Sequence, residues 1–526
     1  MTALTSDELT LLRSNGQRYR LYLAKWGTWE IQQSTPLLSD ASTDPPTLNY
    51  LGTKTQSDFG AIVNIGSHRL AFVGEPIIFD ANKSYGIHNS SVSSCSWSFP
   101  SASPSTSSSF GPISVTWSDA GLYEITCSVD GVTAKRWVRV LPDRTATTYD
   151  ITQVASISGT TSGGWKTSIT AVPSDDTAGT SSEVLDVSDF QAFGLFIEEE
   201  YETSTGWQRE SVSGYDLDPT LLVSGYVQQG SIHIDANNHS VQFDLGSVMD
   251  QMDIGFIHTT QTWSKVYIDA DAASASPSLP NPVQGVILDM SPDSMVMPDI
   301  IIWWLQTYTD VLERHDFYTW YDTSQQTLDA ITTSEGSMQS AFGSLADNEF
   351  AWWFSDQGNG IHFEPNPHIR SQTWWNSNYP VRTILLDDDV ITYDISQDMM
   401  RNVIWAQLTG TQVRTGKQWT VRFPGETPGS GAGTWYMKND LNVSRQSFLD
   451  AIIENVYNDQ NRKITINVTL PLNRAFTVPD SLSITTEIPD RGLSWVEKQF
   501  SVNTIAYNVN VPNGQFTTQI SLMEFV

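Results

Sequence analysis

From Phe500 to Leu522, apolar and polar residues alternate on both sides of Asn513-Gly514. Phe500, Val502, Tyr507, Val509 and Val511 lead into the turn, and Phe516, Thr518, Ile520 and Leu522 answer them. Strand side chains alternate between faces, and Asn-Gly supplies the positive φ of a tight turn, so this pattern demands an antiparallel hairpin. The same grammar fills most of the chain. Tyr19, Leu21 and Leu23 alternate ahead of Trp26-Gly27-Thr28-Trp29, which reads as a turn or bulge. Phe59–Ile65, Phe190–Ile197, Val223–Val227, Ser231–Ile234, Val241–Leu245 and Val266–Ile268 read as further strands separated by Gly, Asn and Asp turns. The fold class that follows is mainly β and multidomain.

Two stretches change period. Pro298-Asp299 opens a helix in which Ile301, Trp304, Leu305, Tyr308, Val311 and Leu312 recur at helical spacing. A second helix is expected from Thr323, with Gln326 placed for a capping box. Phe350–Phe354 and Ile361–Phe363 then flank a Gly/Asn-rich turn as a hairpin, and Leu449, Ile452, Ile453 and Val456 line one later helix. Ser34–Thr47 reads as a loop and Ala270–Pro282 as a linker, and no internal repeat is visible.

Composition narrows the function. Lys and Arg number 28 against 59 Asp and Glu, a net charge of −31. Such a surface lacks the cations that neutralise phosphate, so specific nucleic-acid binding is excluded and docking on anionic membrane is disfavoured. The Met1–Glu8 segment has no basic or apolar leader, and Ile300–Leu305 is the densest apolar run. The expectation is a soluble chain with no membrane span and no signal peptide.

The search for chemistry returns no catalytic, cofactor or metal site, and the chain is expected not to be an enzyme. No phosphate-binding Gly loop, nucleophile elbow, HExxH or CxxC occurs. Cys95 and Cys127 are the only cysteines; a local disulfide and a reduced buried pair both remain open. His233 and His239 flank an Asn-Asn turn with no third ligand spaced for a metal. Asp269 with Asp271, and Asp387–Asp389, are read as solvated turns, since neither continues into an EF-hand loop. Glu198–Glu200 and Glu202 alternate across a strand, so they cannot flank one glycosidic bond and are expected to protect an exposed edge. Trp303-Trp304 and Trp352-Trp353 are assigned to packing, while Trp374-Trp375 is the candidate binding contact.

Between His68 and Leu141 the motifs Val73-Gly74-Glu75-Pro76, Ile77–Ser84, Trp97-Ser98-Phe99 and Asp119-Ala-Gly121-Leu-Tyr123 resemble the PKD family of immunoglobulin-like domains. Ser98 and Pro100 depart from it, standing where acidic residues usually follow the central Trp. Residues from about 150 to 526 resemble the tail hubs and minor tail proteins of tailed phages, the gp27-like class. The resemblance lies in the order of Ile232–Gly246, the helical Ile300–His315, the aromatic hairpin Glu349–Pro365, Met399–Gly410 and the closing Lys498–Leu522. It implies tube-like β-barrel or sandwich domains with a small α+β segment, beside the Ig-like sandwich. The division is 1–67 N-terminal β segment, 68–141 PKD/Ig-like sandwich, 142–282 first barrel half, 283–382 α+β segment, and 383–526 second barrel half. It further implies a homotrimeric ring continuing the tail tube at the virion's tail tip, assembled in the host cytoplasm. Its partners would be tube, distal-tail, tape-measure and fibre proteins, with a host-surface glycan as a further partner of the Ig-like unit. A lumen lined by acidic or neutral residues would let DNA pass. The competing readings are a secreted PKD-containing carbohydrate-active enzyme, a host-surface adhesin and a distal tail protein.

Overall fold

The computed structural model describes residues 17–32, 53–55, 60–146, 149–160, 163–173, 187–203, 206–209, 220–235, 237–254, 256–257, 261–264, 287–289, 296–321, 330–333, 336–366, 369, 376–377, 381–386, 390–397, 402–411, 416–429, 431–443, 446–462, 464–471, 481–488, 493–510 and 515–524. The architecture is mainly β, in several sheets with a few helices.

The largest sheet has 15 strands and draws on three distant parts of the sequence. Gln17–Thr28 pairs with Gln191–Thr203, and the sheet continues through Thr220–Val227, Ser240–Gly246, Lys166–Pro173 and Ile157–Thr160. Ile157–Thr160 then pairs with Leu493–Asn510, Ile157 opposite Tyr507, so the N-terminal and C-terminal β regions form one surface. Beyond it come Gln515–Glu524, Ile464–Pro471 and finally Thr392–Gln397. Among the described residues no sheet closes into a barrel. The expected closing hairpin is present, Asn510 opposite Gln515 and Val509 opposite Phe516. The first strand's register slips between Lys25 and Thr28, the bulge expected at Trp26–Trp29.

Residues 69–141 form two smaller sheets packed face to face. Arg69–Phe72, Val132–Leu141, Gly121–Val129, Cys95–Ser98 and Thr106–Ser107 make one, and Ile77–Phe79, Ile113–Trp117 and Ala102–Ser103 the other. Alternation explains the packing. Cys95 and Trp97, then Ile125, Cys127 and Val129, point inward and meet Phe79, Val115 and Trp117 in one core. The two cysteines lie on neighbouring strands of the same sheet, Trp97 opposite Cys127. They are free thiols with sulfurs 3.7 Å apart.

Three local expectations change. Phe59 lies outside the described residues, and Ala61–Ile65 is buried extended chain with a single bridge, Ile62 to Tyr85, instead of a strand. Its backbone and side chains bond to other units: Asn64 Nδ2 donates to the Phe317 carbonyl and Ile65 N–H to Asp316. The helix opened by Pro298 runs Met297–Tyr308 and stops; Val311–Arg314 is a separate turn of helix. At the break Thr309 Oγ1 caps the Leu305 carbonyl, which competes with helix continuation. Thr323 and Gln326 lie outside the described residues, but Ala330–Thr333 is a strand paired with Gln261–Ser264, which excludes a helix through it. The helix comes later, Met338–Asn348, capped by Ser337 accepting from Ser340 N–H. Val266–Ile268 and Ala270–Pro282 also lie outside the described residues, as do Ser34–Thr47 and Asn513-Gly514.

Candidate functional site

Chemistry-bearing side chains gather where the small sandwich meets the Met297–Pro365 segment. Strand Val132–Leu141 buries Arg136 at 1 % exposure, and its guanidinium reaches Asp316, 4 % exposed, at 2.5 Å. Arg136 spends its other donors on the carbonyls of Gly66, Lys135 and Glu313. Asp316 also accepts from Ile65 N–H (3.0 Å), Gly66 N–H (2.7 Å) and the Tyr318 hydroxyl (2.7 Å). A buried ion pair stands only if its charges are matched by hydrogen bonds, and here Arg136 makes four and both Asp316 oxygens accept two each.

Around this pair the contact is reinforced. Lys135 bonds Glu313 at 2.9 Å, and Arg314 bonds Glu124 at 2.6 Å while lying 4.3 Å over the Trp137 ring. His68 sits between the Trp26 and Trp137 rings and accepts the Trp137 N–H; burial, then the Arg136 charge, push its pKa well down, so it is neutral. Burial does the same to His315. Its Nδ1 faces the Asn359 carbonyl, which can only accept, so Nδ1 carries the proton and Nε2 accepts from the Tyr226 hydroxyl. Asp299 of the central helix joins His88 (2.9 Å) and the Tyr321 hydroxyl (3.0 Å). Its bond to Asp299 raises the His88 pKa, whereas burial raises that of Asp299. These groups join the small sandwich to the central segment, although Arg314 Nη1 is buried without a hydrogen-bond partner.

The aromatic hairpin carries its own cluster. His362 donates from Nε2 to Asp356 (3.0 Å) and from Nδ1 to Glu364 (3.1 Å), and stacks on Phe354. Burial lowers its pKa, but the bonds to both carboxylates outweigh this and raise it to about 9. Trp353 enters the central core while Trp352 packs on the core of the large sheet, so alternation sends adjacent indoles to different cores. Trp303 and Trp304 are both buried, because this helix is enclosed all round.

Glu198 corrects the expectation of a charged exposed edge. It lies inside the sheet at 5 % exposure, accepts from the Tyr22 hydroxyl at 2.8 Å and pairs with Arg144, which also holds Glu75. Its strand is internal, flanked by Gln17–Thr28 and Thr220–Val227, so the carboxylate must be neutralised, here by Arg144 in the connection after the sandwich. His233 and Asp235 belong to the expected hairpin, Asp235 capping Asn237 and Asn238 across its turn. Trp374, Trp375, Asp269, Asp271 and Asp387–Asp389 lie outside the described residues. Among the described residues no three His, Cys, Asp or Glu side chains gather as a metal cage, and no helix is long and apolar enough to cross a membrane. An open cleft of about 340 Å³ is lined by Phe190, Gln228, Gln229, Ser247 and Asp250; burial raises the Asp250 pKa.

Large apolar side chains are exposed on several strands, Ile78, Leu122 and Ile234 among them, and most strongly at two others. Thr392–Gln397 pairs only with Ile464–Pro471, which leaves one edge without a partner among the described residues. It is exposed along nearly its whole length, with Tyr393 at 38 % and the preceding Ile391 at 55 %. Thr434–Asn442 presents Trp435 and Met437. Exposed edges with apolar side chains mark places where another strand or ligand docks. Sequence reasoning named neither strand, because exposure depends on which neighbours a strand lacks.

No family model matches the sequence, and no curated protein matches it. Among solved structures the chain is similar to a tail protein from Neisseria meningitidis MC58, with 10 % identity, a TM-score of 0.40, and coverage of 72 % of this chain and 95 % of that one. It is similar to the 43 kDa tail protein of prophage MuSo2 from Shewanella oneidensis, at 8 % identity and TM-score 0.40, covering 77 % and 98 %. A third is prophage tail protein gp18 from Listeria monocytogenes EGD-e, at 9 % identity and TM-score 0.41, covering 75 % and 91 %.

Proposed function

We propose that this chain is a structural protein of a phage-type tail, a hub at the tail tip that assembles into a ring continuing the tail tube. The single observation that carries this reading is the exposed terminal strand Thr392–Gln397. It ends a 15-stranded sheet drawn from both β regions, and its edge, unpaired among the described residues, invites a strand from another copy. The element order that resembles tail hubs supports it further. On this reading residues 142–282 and 383–526 are the two tube-building halves, 283–382 the α+β segment between them, and 68–141 an Ig-like decoration held rigidly by Arg136 and Asp316. The work is packing and symmetry, not bond chemistry. Its partners are further copies of itself and the tube, distal-tail, tape-measure and fibre proteins, in the virion. A charge of −31 per chain, repeated around a ring, repels DNA phosphate and keeps a lumen from holding the genome.

Light scattering and particle imaging of the purified full chain test the proposal. A threefold ring with a central opening is expected, and Ile391→Glu with Tyr393→Glu should return it to single chains. A wild-type protein that stays monomeric at high concentration overturns the assembly reading, and a ring indifferent to the double variant overturns the assignment of its edge.

A further inference from the structure

The three-stranded sheet between residues 403 and 442 has one closed face and one open face. Val403–Thr411 is central, with Gln418–Phe423 antiparallel on one side and Thr434–Asn442 parallel on the other. Helix Gln446–Gln460 covers the closed face, where Ala406, Leu408 and Val421 meet Leu449, Ile452 and Val456. Alternation puts Trp405, Gln407 and Thr409 on the open face.

The register sets their neighbours. Trp435 lies opposite Trp405, and Gln407 lies between Arg422 and Met437. Trp405 is buried and its indole N–H bonds the Gly425 carbonyl at 2.9 Å, so it is a fixed base. Trp435 meets it edge-on at 5.9 Å and stands 58 % exposed, with Met437 at 55 %. Beside this ledge runs a polar row. Arg422 Nε donates to Gln407 Oε1 at 3.0 Å, Arg422 Nη1 bonds Glu426 at 2.9 Å, and the Thr409 and Thr420 hydroxyls are 3.3 Å apart.

Charge and area select the occupant. Arg422 and Glu426 neutralise each other, so the face complements an uncharged ligand rich in hydroxyls. Trp435 and Met437 together expose on the order of 250 Å² of apolar surface, well below the roughly 800 Å² per partner that a stable protein interface buries. We propose that this face binds a neutral carbohydrate chain, a flat β-1,4-linked pyranose ribbon. One sugar ring lies on the Trp435 indole with its C–H bonds against the ring, and its hydroxyls bond Gln407 and Arg422. The exposed sheet face is extended like the ribbon, whereas an α-linked chain curves away from it. This proposal goes beyond the ring and does not depend on it.

Calorimetric titration of the full-length protein with cellohexaose, chitohexaose and maltohexaose is the test. Binding is expected to at least one of the two β-1,4 hexasaccharides, weakened roughly tenfold or more by Trp435→Ala and less by Gln407→Ala. Met437→Ala, a smaller change on the same ledge, provides a second reading should the indole variant fold poorly. The unfolding curve should not move, because the indole is mostly in water already. Absence of heat with both β-1,4 hexasaccharides, or an affinity indifferent to Trp435→Ala and Met437→Ala, overturns the proposal. Equal affinity for maltohexaose overturns the ribbon. A change in oligomer mass on Trp435→Ala would make the face a contact between copies and overturn it as well. Sugar binding by a protein that forms no ring would remove the hub reading and leave this one standing.

Discussion

Replacing Asp316 with alanine removes the acceptor from four donors at once: the Arg136 guanidinium, the N–H groups of Ile65 and Gly66, and the Tyr318 hydroxyl. Arg136 and Asp316 are 1 % and 4 % exposed, so water cannot take over without opening the junction. Breaking a buried pair by deleting one partner costs about 3–5 kcal/mol, mainly because the other charge stays buried alone. Arg136→Met should cost a similar amount, since it orphans the carbonyls of Gly66, Lys135 and Glu313. The double variant should cost less than the sum of the singles by about 1–3 kcal/mol, because the stranded charge is gone. A chain of several units does not unfold in one step, so the readout must be local. Hydrogen exchange across a urea series, followed in the Val132–Leu141 strand and at Ile65 and Gly66, gives the opening free energy of this junction. A loss below about 1 kcal/mol for Asp316→Ala, or single costs that simply add, would refute the view that this pair locks the sandwich in place.

Protection of the Ala351–Pro365 hairpin should fall as pH rises from about 6.5 through about 9, because a folded-state His362 pKa above its unfolded value contributes stability only while the ring is protonated. His362→Gln should flatten that dependence, and a profile unchanged by the substitution would contradict it. Burial raises the pKa of both thiols, so Cys95 and Cys127 should be silent to a water-soluble disulfide reagent in the native protein and react together only on unfolding. Gly194→Ala drives a methyl group into the Trp26 and Phe196 rings and should destabilise the large sheet by about 1–3 kcal/mol in urea, read as lost protection in Gln191–Thr203.

Glu198 shows where local reasoning stops. Three successive glutamates on a strand read as a protected edge, since charge at an edge blocks aggregation. The strand is instead internal, and Arg144, 54 residues earlier in the chain, reaches it. In the sequence Arg144 is an unremarkable residue in a connection, and nothing local announces its partner. Arg136 and Asp316 are of the same kind. Each is an ordinary charged residue on its own segment, and only docking of two units makes both indispensable. Trp435 was missed for the opposite reason, because an indole in a strand reads as packing, whereas this strand has a neighbour on one side only among the described residues.

What the sequence determined alone is everything governed by period and turn chemistry. The closing hairpin, the aromatic hairpin, the bulge after Lys25, and the helices at Met297–Tyr308 and Gln446–Gln460 all follow from contacts within a few residues. Their signals survive because alternation and helical spacing are rules about adjacent backbone geometry. The tertiary structure alone decided that Ile157–Thr160 completes its sheet with Leu493–Asn510, that Ala61–Ile65 is a buried strap, and which carboxylates are enclosed. Those outcomes depend on which distant surface arrives opposite a residue, and a one-dimensional pattern carries no record of that partner.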